Sequence, residues 1–346
     1  MGSLLCSKHR ETVKEGITTA LEHLSSSKDE MTSLVRISNL TDEWMDILQR
    51  LHLELFFIPT TVITLVTVLA NPLILLCIFL TRALRQETRY LLVANTLAAD
   101  MLFLILNLAT IICNTVRLQI PWLVCQLITA VTVTAYCCAI LTVTLMVVDT
   151  YVAVRWPLHY HIYLSPARTH RILAGLWVLA AVYPFILVIM TERENSQEKV
   201  AVCLVLISLG FIQLKQMVEI HIYFFVAALI CAVLIFYCYI RLYMVTRIQG
   251  IWQTRFSRAR VTLLAHGLLL LLYFTPGFVF TLELFLFHRK DINQDVRVWV
   301  STINMCVFML LPRAFAPYLY GLRYREISDS LMQMLFQQRL SLITVS

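Results

Sequence analysis

The chain has 346 residues, of which 59% are hydrophobic and only 14% are charged. Average soluble proteins contain roughly 45–50% apolar and about 25% charged residues, so a single soluble core could not bury this much apolar surface. The mean hydropathy of +0.76 also indicates a strongly apolar chain. These values argue against intrinsic disorder, and they make a nucleic-acid-binding domain a poor interpretation of the net charge of +7. We therefore predict an integral membrane protein.

Seven stretches of the chain are long and apolar enough to cross a bilayer as helices of about 20 residues. They lie near residues 55–80, 90–114, 123–148, 172–190, 220–240, 261–287 and 298–320. Lipid offers no hydrogen-bonding partners to the backbone, whereas a helix pairs its own backbone donors and acceptors. The predicted fold class is therefore an all-α membrane protein. It would have an N-terminal extracellular segment (1–54) followed by a seven-transmembrane helix bundle (55–321).

Basic residues indicate the orientation of the chain, because cytoplasmic loops carry more Lys and Arg than outer loops. The first, third and fifth connections and the C-terminal tail hold fourteen arginines, whereas the other three connections hold seven basic residues. We expect a multi-pass plasma-membrane protein with its N-terminus outside and its C-terminus in the cytoplasm. The sequon Asn39-Leu40-Thr41 would then face outward as a candidate site for N-glycosylation.

Most of the ten cysteines lie in predicted helices, where they serve as small core residues. Cys125 begins the third helix on its outer side and Cys203 lies in the second outer loop, so both face an oxidising compartment. We predict that these two form a disulfide, and Cys6 and Cys113 remain unassigned. The sequence has no Cys-x-x-Cys, His-Glu-x-x-His, Walker or Gly-x-Ser-x-Gly motif. We therefore expect no enzyme, no cofactor and no metal site.

Each of the seven stretches contains a characteristic residue or short motif, and further motifs follow the third stretch. They are Asn71, Leu97-Ala-Ala-Asp100, Trp122-Leu-Val-Cys125, Asp149-Thr-Tyr151, Pro157-Leu-His-Tyr160, Trp177, Tyr237, Phe274-Thr-Pro276 and Pro317-Tyr-Leu-Tyr320. In this joint spacing, over roughly residues 55–337, the chain resembles the rhodopsin-family G-protein-coupled receptors, and within them the odorant-receptor branch and its orphan relatives. The resemblance implies a receptor that transduces an extracellular ligand signal to a heterotrimeric G protein. It also implies a short amphipathic cytoplasmic helix within the tail 322–346.

The chain departs from the family pattern at the end where relatives meet the G protein. Thr150 replaces the family's central arginine, and Phe256 stands where some relatives carry an acid that pairs with it. The resemblance places five residues at this G-protein-facing end: Asp149, Thr150, Tyr151, Tyr237 and Tyr320. We therefore expect atypical or weakened G-protein coupling. The alternative is a non-signalling seven-helix decoy, scaffold or heteromer partner.

The resemblance also directs eight side chains toward a ligand pocket in the outer half of the bundle: Thr132, Tyr136, His221, Phe274, Phe278, Thr281, Thr302 and Cys306. Ordinary packing between helices is the competing interpretation for each of them. Thr132 stands where amine receptors carry an aspartate, so we do not expect a cationic amine ligand. An apolar pocket with hydroxyl groups suits a small lipid-like, odorant-like or peptide-terminal group.

Arg313 is the one basic residue deep within a predicted span, where an unpaired arginine costs at least about 2.5–3.5 kcal/mol. In relatives, an aspartate at the position of Asp100 helps to hold a sodium ion together with polar side chains. Here the other positions are Ala139, Pro312, Arg313 and Ala316, which offer no side-chain oxygen. We predict that Arg313 pairs with Asp100 and takes the place of the ion. The alternative is an arginine that reaches a water-filled cavity.

Overall fold

The computed structural model describes residues 57–116, 118, 120–160, 164–192, 199–200, 214–248, 255–288, 294–323, 327, 329–330 and 332. All of them belong to one unit, Leu53–Ser346. The described part is almost entirely helical. Its helices are α1 (Phe57–Leu80), α2 (Arg82–Arg85), α3 (Thr88–Thr115), α4 (Trp122–Arg155), α5 (Pro166–Glu192), α6 (Leu214–Ile248), α7 (Arg255–His288), α8 (Gln294–Ile303) and α9 (Leu311–Arg323).

Each of the seven predicted stretches contains helix, although most of the helices extend beyond the apolar run that predicts them. The last stretch differs from the prediction, because a π-helical segment (Asn304–Phe308) separates α8 from α9. Two short strands, β1 (Ile120–Pro121) and β2 (Lys199–Val200), pair antiparallel with Ile120 opposite Val200. Within the described residues, α1, α3, α4 and α5 are long and apolar enough to cross a membrane, and shorter apolar stretches lie in α6 and α7.

Helix α4 occupies the centre of the bundle and packs against α3, α5, α6 and α7. The most apolar stretch of α4 is 61% buried, whereas the most apolar stretches of α1, α3 and α5 are only 22–39% buried. The outer helices turn their large apolar side chains outward, and Leu69 on α1 is 71% exposed. Such a surface is suited to contact with lipid, because the exposure of so much apolar area to water would be strongly unfavourable.

Polar side chains concentrate inside the bundle. Asn71, Asp100 and Arg313 are each fully buried. Ionisable groups are expensive inside a membrane, so they face the bundle interior and find partners there. The buried polar and charged side chains of the bundle interior therefore form the candidate functional site.

Candidate functional site

The central polar site begins with Asp100 on α3 and Arg313 on α9. The Arg313 Nε lies 3.5 Å from the Asp100 Oδ1, and both side chains are fully buried. The Tyr273 hydroxyl on α7 donates a hydrogen bond to Asp100 Oδ2. The Tyr136 hydroxyl on α4 donates to the Tyr273 carbonyl oxygen. Four helices therefore meet around one carboxylate.

The π-helical segment sets the direction of the Arg313 side chain. The Met309 amide donates to the Asn304 carbonyl at 3.0 Å, a bond that spans five residues instead of four. One extra residue in a helix rotates everything after it by about 100° relative to a regular α-helix. The Asn304 side-chain nitrogen donates to the Pro276 carbonyl at 3.2 Å and ties this segment to α7. The segment thus lets Arg313 face inward, where its Nη1 also donates to the Met309 carbonyl.

A second polar network joins α3, α4 and α5. The Trp177 indole nitrogen donates to the Asn95 side-chain oxygen at 3.0 Å, and the Asn95 side-chain nitrogen donates to the Thr142 hydroxyl at 2.9 Å. These bonds satisfy polar groups in a region where water is scarce. They explain why three polar side chains occur at facing positions of otherwise apolar helices.

The predicted pocket residues have different environments. Thr132 is buried and its hydroxyl donates to the Ile128 carbonyl of its own helix at 2.7 Å, and Thr302 is also buried. Tyr136 and Phe274 are half-buried and both pack against the same central apolar cluster. Phe278 is 58% exposed. The side chains of the three other predicted pocket residues, His221, Thr281 and Cys306, lie outside the described part of the structure.

At the predicted cytoplasmic end, Asp149 is buried and accepts a hydrogen bond from the Tyr160 hydroxyl at 2.7 Å. Tyr160 follows the end of α4. Burial, and then the neighbouring Asp149 charge, raises the pKa of Tyr160 well above its ordinary value. The Thr150 hydroxyl donates back to the Met146 carbonyl at 2.9 Å. The Asp149 carboxylate and the Thr150 hydroxyl are therefore both engaged in hydrogen bonds within the protein.

Three tyrosines line the same end. The Tyr151 ring lies 6.2 Å from the Tyr237 ring and is buried, whereas Tyr237 is half exposed. Tyr320 on α9 is buried, and its hydroxyl lies 3.6 Å from the Met146 sulfur. Of the five residues that the resemblance places here, the structure brings Tyr151 and Tyr237 into contact, and Tyr320 contacts Met146 on α4.

The N-terminal end of α4 carries Cys125, which is buried and disulfide-bonded. The β1–β2 pairing brings Lys199 and Val200 beside the start of α4. Cys203 and the sequon at Asn39 lie outside the described residues. The Cys125–Cys203 pairing and the glycan therefore stay predictions.

Several residues of the central site are not evident from the sequence. Tyr273 follows a run of five leucines, and a hydroxyl directly after so apolar a stretch is the available signal for an internal hydrogen bond. Phe103 lies three residues after Asp100 and therefore on the same face of α3. The Tyr160–Asp149 bond joins positions that are eleven residues apart across a helix end. A helical pattern cannot predict that contact.

Residues 70–320 match the family model described as 7 transmembrane receptor (rhodopsin family). The match covers more than half of the chain, which therefore belongs to the rhodopsin family of seven-transmembrane receptors. Members of this family are multi-pass plasma-membrane receptors and not enzymes, with an extracellular ligand and a G protein as their general partners. The predicted family and fold class are confirmed.

Three receptors show sequence similarity to the chain over about three quarters of its length. It is 32% identical over 275 residues to the human protein named Probable G-protein coupled receptor 148, covering 78% of this chain and 79% of that relative. It is 26% identical to odorant receptor 131-2 of Danio rerio, covering 73% and 78%. It is 24% identical to the histamine H2 receptor of Cavia porcellus, covering 73% and 75%.

Proposed function

We propose that the protein is a plasma-membrane receptor that carries an extracellular ligand signal to the cytoplasm with weakened or atypical G-protein coupling. Its N-terminus would lie outside and its C-terminus inside, as the distribution of arginines indicates. The observation that carries the coupling part of the proposal is the environment of Thr150. This residue is half-buried, is uncharged, and turns its hydroxyl back onto its own helix through the bond to Met146.

The neighbouring acid supports the same proposal. Asp149 is engaged by Tyr160, so its charge is directed into the protein and not toward a partner. Among the exposed arginines described near this end, Arg155 and Arg241 lie over the rings of Trp156 and Tyr237 at 5.6 and 5.9 Å, and Arg89 interacts electrostatically with Asp149. None of them stands at position 150, where relatives carry their arginine. A G protein would therefore meet a less basic surface at that point.

The ligand is proposed to be uncharged or anionic at the point where it meets α4. One relative is named a histamine receptor, and histamine is an amine. A buried cationic amine needs an anionic partner. At position 132 this chain offers only a hydroxyl that is already bonded to Ile128. A small lipid-like, odorant-like or peptide-terminal group suits the apolar side chains of Tyr136 and Phe274 better.

The second candidate function is a non-signalling seven-helix protein, a decoy, scaffold or heteromer partner, and the same uncharged Thr150 favours it. Ligand-free G-protein activation in cells separates the two. The comparison uses the natural receptor, Thr150→Arg, and the control Thr150→Gln, which adds length without charge, all at equal surface density. A coupling receptor should give a low but measurable signal that Thr150→Arg raises several-fold and Thr150→Gln does not.

Two outcomes of this assay decide against the proposal. If the natural receptor already activates G protein as strongly as Thr150→Arg, coupling is not weakened. If Thr150→Arg reaches the surface and stays silent across all G-protein subtypes, the non-signalling function is the correct one. Antibody access to tags at the two termini, before and after permeabilisation, tests the orientation separately.

A further inference from the structure

The surroundings of Arg313 contain more than the ion pair. Its guanidinium carbon lies 3.5 Å from the ring centroid of Phe103, 5.2 Å from that of Tyr136 and 5.5 Å from that of Tyr273. A cation within about 6 Å of an aromatic centroid is attracted by the face of the ring. The three rings belong to three different helices. We refer to Phe103, Tyr136, Tyr273 and Asp100 as the arginine cage.

The cage suits a guanidinium group better than it suits a metal cation. At 3.5 Å the Phe103 ring is at stacking distance, and guanidinium is flat and weakly hydrated, so it stacks on aromatic faces. Hard metal cations require a shell of oxygen ligands. In the described surroundings of Arg313, the carboxylate of Asp100 and the carbonyl of Met309 are the oxygen groups that it contacts.

Both oxygens of the carboxylate face a partner, but only Oδ2 is hydrogen-bonded among the described residues. Its Oδ1 faces the Arg313 Nε, and its Oδ2 accepts the Tyr273 hydroxyl. The 3.5 Å separation from Nε exceeds the usual length of a hydrogen bond, and neither Nε nor Nη2 has a hydrogen-bond partner among the described residues. Charge attraction and ring stacking therefore hold the cation, which explains why the cage is aromatic.

We propose that the arginine cage is an internal guanidinium site, filled permanently by Arg313 of the same chain, and that it does not exchange its cation with monovalent metal ions. The charges of Arg313 and Asp100 already balance at the centre of the bundle, so no net negative charge remains there to attract a second cation. The consequence is a receptor core whose stability and conformation do not respond to sodium. This holds whether or not the protein couples to a G protein.

The first test is the thermal midpoint of the purified receptor in sodium chloride and in choline chloride at equal concentration. The natural receptor should give the same midpoint in both salts. A midpoint that rises in sodium would overturn the proposal. General effects of ionic strength are the same in the two salts, so they do not interfere.

The second test compares Arg313→Gln with the double variant Asp100→Asn plus Arg313→Gln. The single variant leaves a buried carboxylate without its cation, so its midpoint should fall by roughly 6–10 °C. The double variant removes both charges and should recover part of that loss. Equal midpoints for the two variants would show that Arg313 does not compensate Asp100.

A third pair of variants keeps the proposal testable even if Arg313→Gln does not fold. Phe103→Leu preserves both charges and removes the stacked ring, whereas Phe315→Leu on α9 changes a side chain that is 50% exposed. Phe103→Leu should lower the midpoint by several degrees more than Phe315→Leu. Equal effects would contradict the role of the cage.

Discussion

The hydrogen bond from Tyr160 to Asp149 allows one change to be worked out in detail. Tyr160→Phe removes a single oxygen and keeps the ring. The bond is 2.7 Å long, its acceptor is a carboxylate, and both residues are more than nine-tenths buried. The rest of the connection keeps a separate anchor, because the Thr88 hydroxyl donates to the Leu164 carbonyl at 3.1 Å. The effect should therefore reflect the lost bond itself.

A hydrogen bond to a charged group is worth about 1.5–3 kcal/mol when its partners are buried. At roughly 2 °C per kcal/mol for a protein of this size, Tyr160→Phe should lower the thermal midpoint by about 3–6 °C. The exposed Tyr239 on α6 provides the matched control. Tyr239→Phe removes the same atom from the surface, and it should change the free energy of unfolding by less than about 0.5 kcal/mol.

A double-mutant cycle with Asp149→Asn identifies the cause. The asparagine still offers an oxygen to Tyr160 but carries no charge, so the bond weakens to about 0.5–1.5 kcal/mol. The loss caused by Tyr160→Phe should accordingly be smaller in the Asp149→Asn background. If the loss is the same in both backgrounds, or absent in the natural receptor, the bond does not anchor this segment.

Three further predictions concern other parts of the molecule. Cys125→Ser and Cys203→Ser should each reduce surface expression, because loss of a native disulfide typically costs about 2–5 kcal/mol; wild-type surface amounts for both would contradict the pairing. Asn95→Ala removes two side-chain bonds and should lower the free energy of unfolding by about 1–3 kcal/mol in thermal melts, and no change would contradict the network. The predicted cytoplasmic face carries arginine but no lysine, so Arg339→Lys should shorten surface lifetime in a chase experiment by creating a ubiquitin acceptor, while Arg339→Gln should not. An unchanged lifetime of Arg339→Lys would mean that the absence of lysine has no such role.

Physical reasoning from the sequence identifies the central pair because the membrane makes charge conspicuous. A soluble protein has many arginines with many possible partners. Within the predicted spans here, Arg313 is the one deeply placed base, and Asp100 is an acid in a predicted neighbouring helix. The cost of an unpaired charge in lipid then leaves few alternatives. The geometry of the cage is beyond this reasoning, because hydropathy does not distinguish an aromatic ring that faces lipid from one that faces Arg313.

The break between α8 and α9 is the feature that the sequence conceals most completely. Residues 298–320 read as one apolar stretch, which predicts a single regular helix with one helical register throughout. The π-helical segment contains one extra residue and therefore shifts the helical register of all residues that follow it. A tertiary contact, the bond from the Asn304 side chain to the Pro276 carbonyl on α7, accompanies it. Only the packed structure contains that information.

Asp100 and Asp149, the two buried acids in the part of the bundle that the structure describes, show how charge is distributed in this receptor. Asp149 has Thr150 as its neighbour, where relatives have an arginine, and it bonds to the neutral Tyr160 instead. Asp100 has the opposite situation, because it gains an arginine where relatives use polar side chains and a mobile ion. Position 150 thus lacks the cation that relatives carry there, whereas the centre of the bundle has gained one. An arginine at the opening can be offered to a partner, whereas one held by three rings and a carboxylate can only stabilise the protein that contains it. This distribution favours a rigid core and a weakly coupled cytoplasmic face, which is why we expect Thr150→Arg to raise signalling and Arg313→Gln to lower stability.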